Sequence, residues 1–448
     1  MSDGKPNVLY VFGDQWRAQA TGYAGDPNVR TPNLDALSRE SINFKNSVAG
    51  CPVCSPARAC MVTGRYPLTH GIFMNDLYLK HDAVSIAEAY SGAGYDTAYI
   101  GKWHLDGHGR SSFIPRERRQ GFDFWKVLEC THRYNDSDYY ADGPEKLKWE
   151  GYDAIAQTRE AQRYIRGHDP DRPFLLFLSW GPPHNPYETA PEEYREMYEP
   201  GEIELRPNVP DSASEGARTS LAGYYSHITA MDDCIGWLGE TLEDTGQVEN
   251  TLLLFTSDHG DMHGSQGERR KQRPWDESIL TPFLLRYPGA LGSGARSIDV
   301  PINTPDIMPT LLGLCDIEIP GTVEGLDYSG LIRGGEGPGD GAALISCYAP
   351  FGEWVKSNGG REYRGLRTAR YTYVRSLDGP WLLYDNSEDP FQMENLVGSE
   401  DHEEIQAGME EILVRKLRET GDDFQTAENL VRRWGIITDK LGTVPYTD

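Results

Sequence analysis

The chain has 448 residues, enough for one large α/β domain with a smaller appendage and for a sizeable core without disulfide staples. Its 69 acidic residues outnumber 43 basic ones, and the net charge of −26 argues against nucleic acid or an anionic membrane as the main target. No stretch is long and apolar enough to span a bilayer, and seven scattered cysteines are not a disulfide framework, so reduced thiols are expected. The first residues enter an apolar run with no charged n-region or cleavage site, and a cytoplasmic location is expected.

In chain order, short apolar runs at 8–12, 97–100, 174–178 and 252–255 each stop abruptly at polar residues. Continuous rather than alternating apolar character predicts strands covered on both faces, hence a parallel sheet. Leu221, Tyr224, Ile228, Met231, Ile235, Leu238 and Leu242 recur at helical steps and predict an amphipathic helix leading into the last of these strands. Alternating strands and helices predict an α/β fold, in which ligands bind beyond the carboxyl ends of the strands. Asp14, Lys102, His104, His184, Asp258 and His259 all follow such ends, so they are expected to share one pocket.

Residues 334–341 are glycine-rich and read as a surface loop. Beyond about residue 350 the pattern changes to half-exposed antiparallel strands at 363–368, 371–375 and 381–384, followed by a helix carrying Ile405, Met409, Ile412, Leu413 and Leu417 on one face. The expected division is a catalytic unit at 1–350 and a C-terminal subdomain at 351–448.

Cys51 and Cys54 form a C-x-x-C, which by itself admits a zinc site, a redox pair or plain buried thiols. No second pair follows at zinc-like spacing. The longer run Cys54-Ser55-Pro56-Ala57-Arg58, followed by Thr63-Gly64-Arg65, carries more information. It resembles the signature of type I sulfatases of the alkaline-phosphatase-like superfamily, in which this cysteine is oxidised to formylglycine. Asp14-Gln15, Gly101-Lys102-Trp103-His104, Pro183-His184, Ser257-Asp258-His259-Gly260-Asp261-Met262, Lys271 and Leu383-Tyr384-Asp385 extend the resemblance nearly end to end.

The resemblance implies a large mixed, mostly parallel sheet sandwiched by helices, with a small C-terminal α+β subdomain. It implies a sulfatase acting on a sulfate monoester, a carbohydrate ester being the expected kind. The hydrate of a formylglycine made from Cys54 would attack sulfur through one hydroxyl and expel sulfate through the other, and a formylglycine-generating enzyme is the implied maturation partner. By the same resemblance, Asp14, Gln15, Asp258 and His259, with Cys54, are metal ligands, Ca²⁺ being expected and Mg²⁺ or Mn²⁺ compatible with the donors. Arg58 would hold the nucleophile and the metal shell, and Lys102 and Lys271 would contact sulfate. His104 would take the proton that expels sulfate, and His184 would protonate the leaving oxygen.

Gln15 stands where many sulfatases have a second aspartate, and Asp-Gln also occurs in related phosphonate monoester and phosphodiester hydrolases. Such a hydrolase is the alternative, and a non-catalytic sulfated-glycan binder is the reading from another class. Basic runs at 116–119 and 268–273 read as solvated faces or as holders of an anionic substrate. Specificity is expected from the loops around Asn75-Asp76, 106–119, His132-Arg133-Tyr134 and Trp275. His81, His168 and His402 read as structural.

Overall fold

The computed structural model describes residues 4–446. Its main sheet contains β1 (Asn7–Asp14), β2 (Ile42–Phe44), β3 (Asp96–Lys102), β4 (Phe124–Leu128), β5 (Phe174–Pro183), β6 (Thr251–Ser257), β7 (Leu284–Arg286) and β8 (Arg296–Ile298). They lie in the order β8-β2-β7-β6-β1-β5-β3-β4. Neighbours are parallel except β7, which runs antiparallel to both β2 and β6. The four apolar runs are therefore adjacent strands at the middle of a mixed, mostly parallel sheet.

Alternate side chains of these strands enter two separate cores. Val8, Tyr10, Phe177, Leu252 and Leu254 pack with Ala59, Met61 and Val62 of α1 (Cys54–Thr63) on one face. Leu9, Val11, Leu176, Leu178 and Leu253 pack on the other against α2 (Asp153–Gly167) and α3 (Ser214–Asp244). Both faces are dry, which is why the runs lack the polar alternation of a half-solvated sheet. Each such side chain contributes roughly 1.5–3 kcal/mol relative to exposure. The expected helix at 221–242 is the buried stripe of α3.

Gly101 shows how closely the central strands approach. Its φ is 108°, and a Cβ there would stand 2.0 Å from the Ser179 carbonyl oxygen of β5. Only glycine lets β3 deliver Lys102 at this point.

The C-terminal sheet is formed by β9 (Ala342–Cys347), β10 (Tyr363–Thr368), β11 (Tyr371–Ser376) and β12 (Gly379–Asp385), antiparallel and in sequence order. Its first strand comes from ahead of residue 350. The strands are more buried than the expected half-exposure. One face, with Ile345, Tyr363, Val374 and Leu382, packs against Val48 and Ile279 of the larger unit. The other, with Leu344, Leu366, Tyr373 and Leu383, is covered by Met409, Leu413 and Leu417 of α5 (Glu403–Glu419), α4 being Ile307–Leu314 beside α1. Arg367 clamps this sheet to the larger unit through two 3.0 Å bonds to the Asp276 carboxylate.

Candidate active site

Strand ends place the site. Asp14 ends β1, Lys102 ends β3, His184 follows β5, and Asp258 and His259 follow β6. Cys54 opens α1, so it sits at the end where backbone N–H groups and the helix dipole favour negative charge. Arg58 lies one turn further on the same helix face. All of these side chains are buried.

Cys54 Sγ is the point of convergence. Lys271 Nζ lies 2.9 Å away, His259 Nε2 3.2 Å and Asp14 Oδ1 3.5 Å. Burial and the Asp14 carboxylate push the thiol up, but Lys271, Lys102 and His259 override them and hold it well below its ordinary value. Arg58 ties the two carboxylates together, donating from Nη2 to Asp14 at 3.1 Å and from Nε to Asp258 at 3.0 Å. Its Nη1 donates to the Lys102 carbonyl at 2.8 Å and to Ser179 at 2.7 Å, so the fork is fully engaged. Lys102 Nζ stands 2.6 Å from Asp14 Oδ2.

The donors suit a divalent cation. Ligand atoms of Asp14, Cys54, Asp258 and His259 all lie within 4.8 Å of one another. His259 Nδ1 lies 2.9 Å from the Gly260 carbonyl and Nε2 faces the cluster, so loss of the Nε2 proton would turn that nitrogen into a ligand. Burial and the neighbouring Asp14 charge push the Asp258 carboxyl up to about 6, a sign of crowded negative charge that a cation relieves. Gln15 donates from Nε2 to Asp261 at 2.6 Å, while its Oε1 is buried with no partner. That orphaned carbonyl oxygen is available as a neutral ligand.

The proton-handling groups differ from one another. His184 donates from Nδ1 to the Asn185 carbonyl at 2.9 Å and accepts at Nε2 from Lys271 Nζ at 3.0 Å. Burial and the Lys271 ammonium hold the His184 imidazolium form down, so Lys271 is the proton-bearing member of the pair. His104 donates from Nε2 to Asp76 at 3.2 Å, and its buried Nδ1 has no partner. Burial opposes protonation of His104, but Cys130 and Asp76 raise it to about 10. The imidazolium is therefore its resting form beside the Cys130 and Cys54 thiols, held in place by the Asp76 carboxylate.

A cavity of about 740 Å³ opens onto Cys54, Lys102, His104, His184 and Lys271. Its wall adds Arg110, Arg269, Arg270 and Arg273 against Glu268 and Glu353, a local cationic surface on an acidic chain. The run 268–273 is therefore part of the site. In the run 116–119, Arg116 pairs with Asp123 on the surface and Arg119 bonds back to the Ile114 carbonyl. Asn75, Arg110 and His132 line the cavity, as expected of their loops, but Trp275 packs on Trp381 and donates to the Tyr384 hydroxyl at 3.1 Å. All seven cysteines are unpaired. His81, His168 and His402 engage Glu88, Asp96 and Ser399 respectively, away from the site.

Several roles were not assigned by sequence reasoning, although Asp76 lies in a loop expected to set specificity and Asp261 in the motif after β6. Asp76 orients His104 and takes both Arg110 bonds, at 2.9 and 2.8 Å. Cys130 shares the cavity, and Lys102 and His104 outweigh burial to hold its thiol down to about 5. Asp261 gathers Gln15, Tyr187 and the His263 and Arg270 amides. Gln15, Asp76, His104 and Arg270 all hold left-handed backbone, with φ between 61° and 70°. Such strain costs of order 1–3 kcal/mol per residue and concentrates at functional sites.

The comparisons agree with this arrangement. The sulfatase family model matches residues 6–317, and the model of the N-sulphoglucosamine sulphohydrolase C-terminal region matches 264–419. The chain belongs to the sulfatase family and is a sulfuric ester hydrolase of the alkaline-phosphatase-like fold. It is 45% identical over 447 residues to the ulvan-active sulfatase of Formosa agariphila, covering 99% of this chain and 87% of that one. It is 29% identical to an endo-4-O-sulfatase of Bacteroides thetaiotaomicron, over 96% and 95% of the two chains. The phosphonate monoester hydrolase of Agrobacterium radiobacter superimposes with a TM-score of 0.77 at 24% identity, over 93% and 96%, and shares the fold.

Proposed function

We propose that the protein removes sulfate from a sulfated carbohydrate chain, ulvan being the first candidate because a 45% identical relative is active on it. The observation that carries the reading is the convergence of Lys271, His259 and Asp14 on Cys54 inside a cationic cavity. A formylglycine at Cys54 supplies, as its hydrate, one hydroxyl for attack on sulfur and a second whose deprotonation releases the sulfate.

The remaining work falls to groups already in place. Asp14, Gln15, Asp258 and His259 would hold a divalent cation, Ca²⁺ by family resemblance, which supplies charge stabilisation for sulfate oxygens. Lys102 and Lys271 add positive charge in a pocket shielded from water, where it acts strongly. The Lys271–His184 pair supplies the proton for the departing sugar oxygen, Lys271 being the member that bears it. His104, oriented by Asp76, is assigned the hydroxyl proton when sulfate is expelled, for which it must first be in its neutral form. Arg58 fixes Asp14 and Asp258 relative to one another and to Cys54.

Parallel turnover of an aryl sulfate, an aryl phosphonate and ulvan, with Cys54→Ala as control, tests the reading. Sulfate release from ulvan that is lost in Cys54→Ala supports it. Preference for the phosphonate would replace it with the hydrolase reading that Gln15 favours.

A further inference from the structure

The segment 182–186, at the end of β5, carries His184 and has prolines at three of its five positions. Proline offers no N–H, so the segment can make few backbone bonds of its own and takes its position from side chains that reach it. The loop after β4 supplies two of them. The His132 ring lies flat on the His184 ring, with centroids 4.7 Å apart and planes within 2°. Two residues on, the Tyr134 hydroxyl is shared between the Gly181 and Asn185 carbonyls, at 3.3 and 3.2 Å. His227 takes the next carbonyl, donating from Nε2 to Pro186 at 3.1 Å.

The Asn185 carbonyl is also the acceptor for His184 Nδ1, at 2.9 Å, while Nε2 accepts from Lys271 at 3.0 Å. Bonds at both nitrogens stop the imidazole from turning in its own plane. The ring can still roll about the line joining those nitrogens, and a flat partner on its face opposes that roll. His132 is that partner: it is half-buried, lines the cavity above Cys54, and sits in a loop whose Cys130 N–H donates to the Arg110 carbonyl at 3.1 Å. Tyr134, fully buried, fixes the carbonyl that anchors Nδ1. Neither side chain is among the groups that attack sulfur, hold the cation or carry the proton.

We propose that the loop after β4 positions the leaving-group proton donor: His132 and Tyr134 fix the plane of His184, so that the Lys271–His184 pair presents its proton to the departing oxygen in one orientation. Both act through His184 and are positioning residues. The inference rests on the sulfatase reading above and on the proton role given there to the pair. A misplacement of about 1 Å in a catalytic group can cost about 10²-fold in rate, so loss of one support should be visible.

The demand for a proton rises with the basicity of the leaving oxygen, so kcat/KM across substituted phenyl sulfates, from 4-nitrophenyl to 4-methoxyphenyl, reads the donor directly. The series is measured for the wild type, His132→Ala, His132→Phe, Tyr134→Phe and, as the reference for a lost donor, His184→Ala. His132→Ala and Tyr134→Phe should each lose about tenfold more on 4-methoxyphenyl sulfate than on 4-nitrophenyl sulfate, in the direction of the larger effect of His184→Ala. His132→Phe should restore most of that loss, since a flat ring keeps the stack. It gives up the contact of His132 with the Cys130 thiol, so rescue assigns the effect to the stack. An equal loss on every ester in His132→Ala and Tyr134→Phe, or a His132→Phe no better than His132→Ala, overturns the proposal. A His184→Ala slope equal to that of the wild type would instead remove the proton assignment, and absence of aryl sulfate turnover by the wild type would remove the sulfatase reading; each takes the proposal with it.

Discussion

Lys271 Nζ stands 2.9 Å from Cys54 Sγ and 3.0 Å from His184 Nε2, bridging the nucleophile position to the histidine that follows β5. Lys271 is thus the nearest ammonium to Cys54 Sγ and donates a hydrogen bond to His184. Lys271→Ala should lower kcat about 10²–10³-fold, the usual cost of losing one preorganised charge-stabilising donor. Lys271→Arg should not restore it, because a planar fork cannot reproduce a point charge between two acceptors. Steady-state kinetics on an aryl sulfate check this, and near-wild-type kcat in Lys271→Ala would remove the assigned role.

The cation site gives a second expectation. Dialysis against a chelator should abolish turnover, and Ca²⁺ should restore it together with thermal stability, by about 2.7 kcal/mol at a hundredfold excess over Kd. Gln15→Glu should sharpen the contrast. It puts a carboxylate where Gln15 Nε2 now donates to Asp261, so the metal-free protein should lose stability and the loaded protein should recover most of it. Thermal unfolding with and without Ca²⁺ reads both, and a stability change indifferent to Ca²⁺ would exclude Gln15 from the shell.

The pH dependence of stability should carry the mark of Asp153. This carboxyl, at the start of α2, is buried with one oxygen unpaired, and desolvation pushes it up to about 8 from an ordinary 3.8. The folded protein therefore keeps a proton that the unfolded chain releases. The stabilisation is fully present below about 3.8 and is lost as pH rises through about 8, at about 1.4 kcal/mol per pH unit between them. Asp153→Asn removes that slope, so its urea midpoint should gain on the wild type steadily from pH 5 to pH 8. A constant difference across that range would contradict the assignment.

Arg364 and Asp422 form a fully buried pair that joins β10 to the end of α5, with the guanidinium stacked 4.0 Å over the Tyr348 ring. Asp422→Ala strands an unpaired buried cation and should cost about 3–5 kcal/mol. Neither residue lines the cavity over Cys54, so kcat of the folded fraction should be unchanged. Equilibrium unfolding together with active-site-normalised kinetics checks both halves.

The sheet's four central strands were legible because burial on both faces leaves continuous apolar runs, and their polar ends located most of the site. β7 was not, because Leu284–Arg286 is too short to distinguish from other apolar triplets. Reversal of that one strand is a tertiary choice, made where β7 fits between β2 and β6. The half-exposure expected of 363–368 failed for a related reason, since the cover on each face comes from distant segments, Ile279 on one side and Leu413 on the other. Asp76 was expected in a specificity loop, but nothing in the sequence pointed to its bond with His104. Its role follows from left-handed turns that bring it to His104 and Arg110, and no local pattern announces such a turn at a non-glycine residue. Cys54 and the motif after β6 could be read from their neighbours, since helix start, Arg58 one turn on and the Asp258-His259 pair are all local in sequence.

The central claim is that the working group at position 54 is an aldehyde hydrate rather than a thiol. Trypsin releases residues 46–58 as one peptide, cut after Lys45 and Arg58. Its intact mass should be measured in preparations made with and without a formylglycine-generating enzyme, alongside sulfatase activity. The fraction of peptide in which H₂S has been exchanged for oxygen should track specific activity across preparations. Fully active protein in which Cys54 remains an unmodified thiol would contradict the account.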